Sequence, residues 1–440
     1  MFDHVWWKAL FADCQASDDG FTKRAHIASN NQGFVVEEES NSQHCMFRLT
    51  DRDNLKFKIY GMISDISDGA PCAQTICNEF LSYVVDDGTQ TISAELNSLG
   101  ESRNLMDYKL LVEQRVRNWF QSIDCKYFNS IDEDFAALYR QTELTLGEMT
   151  PENEWKLEEM KGKVSGGASA AFAFVICDRL FVANCGNVRA LLISQDRESN
   201  SASAETLSQL HQTENHAERQ RLMSLGVNED QISFIRTPTR CFGNFFMKGG
   251  YQDDPRFSLA SSEPCTVNPY VSGGFKVDAS HRFLVLASES VFKVILQAGI
   301  NDSEVNDYLV EKIATAYGGQ YSNCDVSQKV LDEICGDHSA YQLQRLSLDP
   351  VARRDSMALV CVCLHEGYQQ QLVLNRILDA PVIPTSTKRD NSQMVASYVD
   401  FSSFVSHPKR DIVTLKVDQI FEELRSKRRL KKIEEDDNNF

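Results

Sequence analysis

The clearest hydrophobic pattern in the chain lies between Ser165 and Ser194, SGGASAAFAFVICDRLFVANCGNVRALLIS. Small residues at Gly166 and Gly167 precede an apolar strand from Ala171 to Ile176. Asp178 and Arg179 then make a charged turn, Leu180 to Asn184 a second strand, and Gly186 leads into a third. Short apolar runs separated by tight turns predict a β-meander at the heart of a sheet. Because nearly every strand position is apolar, both faces are expected to be covered by other layers. A generic hairpin core satisfies the same pattern.

Around this centre the periodicity changes. Between residues 20 and 65 two strand-like runs, FTKRAHIASNNQGFVVEEE and KFKIYGMIS, flank a polar loop from Glu37 to His44 that reads as disordered. Apolar residues then recur at helical spacing in Ala70 to Val85, Leu105 to Gln121 and Asp132 to Leu144. The stripes Met106, Leu110, Val116, Phe120 and Phe135, Leu138, Tyr139 are assigned to the core. Met149 to Lys163 is charged throughout and reads as a solvated helix or hinge. Leu207 to Gly226 carries a cap signal at Thr213 or Asn215, the latter with Glu218 three residues on, and a stop at Gly226.

After Cys363 the strand pattern ends. Pro381, Pro384, Ser386, Thr387 and Asn391 mark residues 366–396 as a linker. Next comes Ser397 to Phe404, SYVDFSSF, in which Ser397 can cap a helix with Asp400 at the third position. Tyr398, Phe401 and Phe404 then share one face. Three aromatics on a short helix outside any core suggest a ligand for a partner's groove; a tail helix docking back on its own domain is the alternative. Asp411 to Glu434 reads as an amphipathic helix, with a stripe of Val413, Val417, Ile420, Phe421 and Leu424 above a basic patch from Arg425 to Lys432. It would extend the same contact or bind an acidic partner, and a nuclear-localisation reading of the basic run is weaker.

Composition narrows the choices. A chain of 440 residues has room for one large core or two domains. Hydrophobic content of 42% and charged content of 25% are those of a soluble globular protein. A net charge of −18 argues against nucleic acid and anionic membrane as partners. Thirteen cysteines, with no CxxC pair and no Cys/His zinc spacing, fit free thiols better than a disulfide framework. With no basic stretch ahead of its apolar N-terminal patches and no run near eighteen apolar residues, the chain is expected in the cytoplasm or nucleus.

The wording of the central stretch adds a family. S-G-G-A-S-A followed by FVANCGNVRALL resembles the type 2C metal-dependent Ser/Thr protein phosphatases, whose pattern there is S-G-[ST]-T-A and then N-[CVA]-G-D-S-R. HRFLVLASESVFKVI is similar to their D-x-F-L-[VI]-L-A-[CST]-D-G-[LV]-[WF]-[DE], and RRDSMALVCVCL to R-D-N-[MI]-[ST]-x-[LIV]-[VL]. The family's E-x-x-R helix has its counterpart in Glu218 and Arg221, and its R-[AS]-[FL]-G-D in the run Thr239 to Asn244. The resemblance covers about residues 20 to 365 and implies an α+β fold, an αββα four-layer sandwich spanning residues 1–365.

Enzymes of that family hold two divalent cations on carboxylates, and a water between them attacks the phosphate. Carried over residue by residue, the resemblance puts Ile27 at the phosphate-binding Arg, Gln32 (beside Asn31) at the acidic pair, and Ser64 at the metal-bridging Asp. Asp65 would reach the site only by a one-residue slip that turns the other side of the strand. Asn187 replaces a third-metal Asp, Glu289 replaces a metal Asp, and Asp355 is retained. Hard cations need charged oxygen ligands, and only Glu289 and Asp355 supply them. The resemblance therefore implies a pseudophosphatase with no metal or other cofactor, Glu289 and Asp355 forming a buried hydrogen-bonded acid pair or a weak cation site. A divergent but active Mn/Mg-dependent phosphatase is the alternative.

The octamer SYVDFSSF also resembles the P-Y-V-D-F-x-x-F segment of the family of proteins that bind and activate the transforming-growth-factor-β-activated kinase, a MAP kinase kinase kinase. Members of that family combine a type 2C pseudophosphatase domain with a C-terminal kinase-binding helix. This likeness implies a non-catalytic adaptor in MAP kinase, TGF-β and Wnt signalling that promotes kinase autophosphorylation. Tyr398, Val399, Phe401 and Phe404 in the tail 397–440 would be the contacts, and the folded domain a platform for further signalling proteins. A scaffold unrelated to kinases is a third reading, in which the tail aromatics are dispensable.

Overall fold

The structure, a computed structural model, describes residues 11–14, 22–24, 34–40, 43–51, 57–66, 72–84, 105–142, 150–176, 179–196, 201–317, 326–344 and 355–364. The chain divides into two units, Met1–Leu378 and Asp379–Phe440. All of the described residues belong to the first.

In chain order its elements are β1 (Phe11–Cys14), β2 (Thr22–Arg24), β3 (Phe34–Ser40), β4 (His44–Asp51), β5 (Phe57–Asp65), α1 (Cys72–Tyr83), α2 (Leu105–Ser130), α3 (Asp132–Thr142), α4 (Pro151–Ser165), β6 (Gly167–Ile176), β7 (Arg179–Cys185), β8 (Arg189–Gln195) and β9 (Ala202–Thr206). There follow α5 (His216–Ser224), α6 (Glu229–Ser233), β10 (Phe242–Gly243), β11 (Tyr270–Lys276), β12 (His281–Ala287), α7 (Glu289–Gln297), α8 (Val305–Tyr317), α9 (Val326–Gln344) and β13 (Met357–Cys363). Strands β11-β7-β6-β5-β4-β3-β2 form an 8-stranded sheet with β10 paired to β6, and β1-β13-β12-β8-β9 a 5-stranded one. The named strand pairs are antiparallel.

The period-2 alternation of strand side chains explains the layers. Met46, Met62, Ala171, Ala173 and Val182 of the larger sheet meet Ala190, Leu192, Leu284, Leu286 and Val360 of the smaller between the sheets. The opposite parity, Cys45, Phe47, Ile63, Phe172 and Phe174, packs outward on α1 and α2. On the other side Leu191, Val285 and Leu359 pack on α7, α8 and α9 through Val291, Leu309, Ile313 and Ile334. This is the α+β, helix–sheet–sheet–helix arrangement implied by the family resemblance. Under α1, Phe80 stacks on Phe172 at 4.1 Å, and Phe47 and Phe120 approach the same ring at 5.8 and 5.4 Å. Phe47 sits opposite Gly61 across β4 and β5, and a Cβ at Gly61 would lie 2.2 Å from its ring.

Four expectations are corrected. The Ser165–Ser194 run is not a meander in one sheet: β6 and β7 pair in the larger sheet, whereas β8 pairs with β12 and β9 in the smaller. The turn at Gly186, with φ +93°, precedes that crossing. Glu37–Ser40 is strand, and His44 opens β4, so the polar stretch read as loop is largely sheet; its register sets Glu38 and Glu39 opposite Arg24 and Lys23. Leu110 is 53% exposed because α2 presents Val112, Val116, Trp119, Ile123 and Tyr127 to the sheet, and Leu110 lies about 200° round the helix from Val112. Finally, Asn215 caps α5 through the Ala217 amide, but Glu218 does not turn back to complete a capping box. It points into the ion-pair network described below.

Candidate functional site

At one end of the sandwich, the last residues of β5, the first of β4 and β6, and the loops entering α7 and β13 converge. His44, Ser64 and Ser169 are successive cross-strand neighbours, His44 opposite Ser64 and Ser64 opposite Ser169. Parity places them on the inter-sheet face with Met46, Met62 and Ala171. From the smaller sheet, Ser288 follows β12 and its Oγ accepts from the Ala358 amide at 3.0 Å. That bond sets the start of α7, and so Glu289, beside Asp355 and Ser356 at the entry to β13. A cavity of about 340 Å³ is lined by Gln43, His44, Ser64, Asp65, Ile66, Ser169, Val188, Glu289, Ser290, Lys293, Asp355 and Ser356. Ser64, Glu289 and Asp355 thus come together as the motif alignment places them.

Asp65 takes the other side of its strand. Its Oδ1 accepts from the Ala73 amide at 2.7 Å at the start of α1, and burial pushes its carboxyl up to about 8 against the pull of the Ala73 and Cys72 amides. Its side chain is thus engaged with the start of α1. His44 bridges the two sheets through Nε2 and the Ser356 carbonyl, 3.1 Å apart; burial lowers its pKa to about 4, so it is neutral at pH 7.

The Asn187 Nδ2 donates to Glu289 Oε2 at 3.0 Å, and its backbone amide donates to Ser169 Oγ at 3.2 Å. Gln212 Nε2 donates to Glu289 Oε1 at 3.3 Å, and the Lys293 ammonium lies 3.1 Å from the same oxygen. Glu289 and Asp355 are therefore not a buried acid pair: Asp355 is exposed, and Glu289 is bonded to two amides and an amine. The importance of Lys293 was missed in the sequence. Its signal was present, because it stands at the acidic last place of the D-G-[LV]-[WF]-[DE] pattern.

A pair of hard divalent cations needs several converging carboxylates. Here Ser64 is neutral, Asn187 offers a single buried, unbonded Oδ1, Glu289 already has three donors of its own chain around it, and Asp355 adds one exposed carboxylate. Among the described residues no group of three or more His, Cys, Asp or Glu is arranged to hold a metal. The donor set does not fit the cation pair. Ile27, Gln32, Tyr398, Val399, Phe401 and Phe404 lie outside the described residues.

Behind this wall a polar network joins α5 to the segment before β10. Glu218 is fully buried; its Oε1 accepts from Arg240 Nη2 at 2.6 Å and Nε at 2.9 Å, its Oε2 from Thr239 Oγ1 at 2.7 Å and Arg221 Nε at 3.1 Å. Burial opposes its charge, but these donors win and hold its pKa at about 2. His211 accepts from the Gly186 amide through Nδ1 at 3.0 Å; burial, then Arg240, lower its pKa to about 3. A neutral imidazole therefore fixes the turn that carries Asn187.

The protein phosphatase 2C family profile matches residues 117–339. A curated relative from Caenorhabditis elegans, "TGF-beta-activated kinase 1 and MAP3K7-binding protein 1", is 23% identical over 323 residues, covering 72% of this chain and 75% of that protein. Among solved structures, the serine-threonine phosphatase 2C of Toxoplasma gondii is 13% identical with a TM-score of 0.45, covering 79% of this chain and 99% of that one. A C. elegans sex determining protein is 12% identical with a TM-score of 0.42, covering 81% and 67%.

Proposed function

The chain belongs to the protein phosphatase 2C family, and from that premise we propose that it is a non-catalytic regulatory subunit of a MAP kinase kinase kinase of the TGF-β-activated type. It binds the kinase through the aromatic segment Ser397–Phe404 and promotes its autophosphorylation, in the cytoplasm or nucleus. The observation that carries the non-catalytic half is Glu289, the carboxylate at a metal position, held instead by Asn187, Gln212 and Lys293. The kinase half is supported by the likeness to a relative named as a kinase-binding protein and by the spacing of Tyr398, Phe401 and Phe404. The folded unit serves as a platform on which further signalling proteins assemble.

The test is binding of the purified chain to the kinase domain of such a kinase, beside a Phe401→Ala, Phe404→Ala double variant. Loss of two desolvated anchors should cost at least about 3 kcal/mol, roughly a hundredfold in affinity. Binding by the wild type alone establishes the tail as the kinase handle, and autophosphorylation assays follow. Equal binding by both proteins removes the tail from the interface. Manganese-dependent hydrolysis of an aryl phosphate that disappears in Asp355→Ala would replace the non-catalytic reading with that of a divergent phosphatase.

A further inference from the structure

Beside the Glu218 network, and unused by it, two thiols face each other. Cys241 Sγ and Cys265 Sγ are 3.3 Å apart, and both residues are buried. Their approach is built by the backbone. The Cys241 amide donates to the Thr266 carbonyl at 3.1 Å and the Thr266 amide to the Thr239 carbonyl at 3.2 Å, while Arg240 and Thr266 form a parallel bridge. Two extended segments therefore run side by side, with Cys241 one residue after the bridged Arg240 and Cys265 one residue before the bridged Thr266, and their side chains on the same side of the pair. A disulfide needs its sulfurs at about 2.05 Å, so the two must draw together from 3.3 Å.

The surroundings make the pair unequal. The hydrogen bond with Cys241 pulls the Cys265 thiol below its ordinary value, with burial opposing and the Lys248 ammonium assisting; the same bond, with burial, pushes Cys241 up. Lys248 is itself buried, donating to the Cys241 carbonyl at 2.8 Å and pairing with Asp124 at 2.6 Å. The Cys185 Sγ lies instead 3.8 Å from the Thr266 carbonyl. Among the described residues no third ligand turns the pair into a metal site.

We propose that Cys241 and Cys265 form a redox-reactive dithiol that a hydroperoxide converts into an intramolecular disulfide. One of the two, as thiolate, attacks the peroxide; the O–O bond breaks, leaving a sulfenic acid on that cysteine and an alcohol (water, for hydrogen peroxide) that carries away its thiol proton. The sulfur of the other then attacks the sulfenic sulfur, the S–O bond breaks, and the hydroxyl leaves with the second thiol proton as water. The two thiols lose two electrons and two protons in all. The new bond closes residues 241–265 into a loop that includes Tyr251 and Phe257, members of a small apolar cluster with Leu222, Val227, Ile232 and Ile235. Oxidation thus ties that cluster to the larger sheet, where Phe242 and Gly243 pair with the start of β6.

The full chain is treated with hydrogen peroxide, blocked with iodoacetamide, unfolded and digested with trypsin without reductant. The expected product joins the peptides Cys241–Lys248 and Phe257–Lys276, is two hydrogens lighter than their sum, and vanishes on treatment with dithiothreitol. Cys125, which is exposed, reports the peroxide dose in the same sample. Oxidation should also raise the melting temperature, reversibly, in the wild type and not in Cys241→Ser or Cys265→Ser. Recovery of both cysteines as free thiols at a dose that oxidises Cys125, or cross-linking only after unfolding in urea, overturns the proposal. The wild-type peptide map decides the matter by itself if the serine variants fail to fold.

Discussion

Glu218→Gln tests whether the network behind the cavity holds the fold together. Gln keeps the shape and one carbonyl acceptor but removes the charge facing Arg221 and Arg240, both largely buried. A carboxyl held at about 2, against an ordinary value of 4.5, corresponds to about 3 kcal/mol favouring its ionised form in the folded state, at 1.36 kcal/mol for each pH unit of displacement. Breaking one side of a buried pair commonly costs about 3–5 kcal/mol, because the guanidinium left behind is still desolvated. The side chain is 1% exposed, so solvent screening does little to reduce the figure. The sign follows from the depressed pKa: this stabilisation is fully present above pH 4.5 and is lost as pH falls through about 2. Chemical denaturation at pH 7 should therefore show the variant about 3 kcal/mol less stable, and the two proteins should converge between pH 4.5 and 2. A variant within about 0.5 kcal/mol of wild type at pH 7, the size of an ordinary surface substitution, would refute the reasoning. So would a difference that does not shrink with acid.

Three further outcomes are expected. Lys248→Met leaves the buried Asp124 carboxylate without its ammonium and should cost about 3–5 kcal/mol by denaturant titration, whereas Lys248→Met with Asp124→Asn should recover much of that loss. Gly61→Ala drives a methyl into the Phe47 ring and should cost about 1–3 kcal/mol, a cost relieved by Phe47→Leu in the same chain if the clash is the cause. Ser64→Asp alone should still bind no manganese by calorimetry, because Lys293 remains on Glu289; Ser64→Asp with Lys293→Asp should bind it, and equal binding by the single variant would show that Lys293 does not guard the site.

Strand and helix periodicity made most of the first unit legible, because nearly every inward position of β5, β6, β12 and β13 is apolar. What it could not carry was partnership between distant segments. The sequence around Gly186 reads the same whether β8 continues one sheet or crosses to the other, since both sheets bury both faces. Glu38 and Glu39 look like a solvated loop until their register opposite Arg24 and Lys23 is known. Glu218 matched a local capping signal, yet its partners Thr239 and Arg240 lie more than twenty residues further on. In the site, the lost carboxylates were plain from the motifs. The replacement of a counter-ion by Lys293 was not, because a lysine one turn into an amphipathic helix ordinarily reads as solvated surface.

That replacement bears on how such a fold can stand when no cation is bound. Carboxylates gathered to hold two divalent ions repel one another when the ions are gone, so an apo site of that kind strains the sheet ends that carry it. Here the same places hold a hydroxyl at Ser64 and an amide at Asn187, and the one glutamate among them carries its own ammonium. Of the charge that a cation would neutralise, Glu289 is already paired and Asp355 is left at the mouth of the cavity. Chelation should therefore leave the melting temperature unchanged, and added manganese should not raise it. A rise with manganese in the unaltered chain would mean that Glu289 and Asp355 still accept an ion, and that Lys293, half exposed as it is, moves aside to let it in.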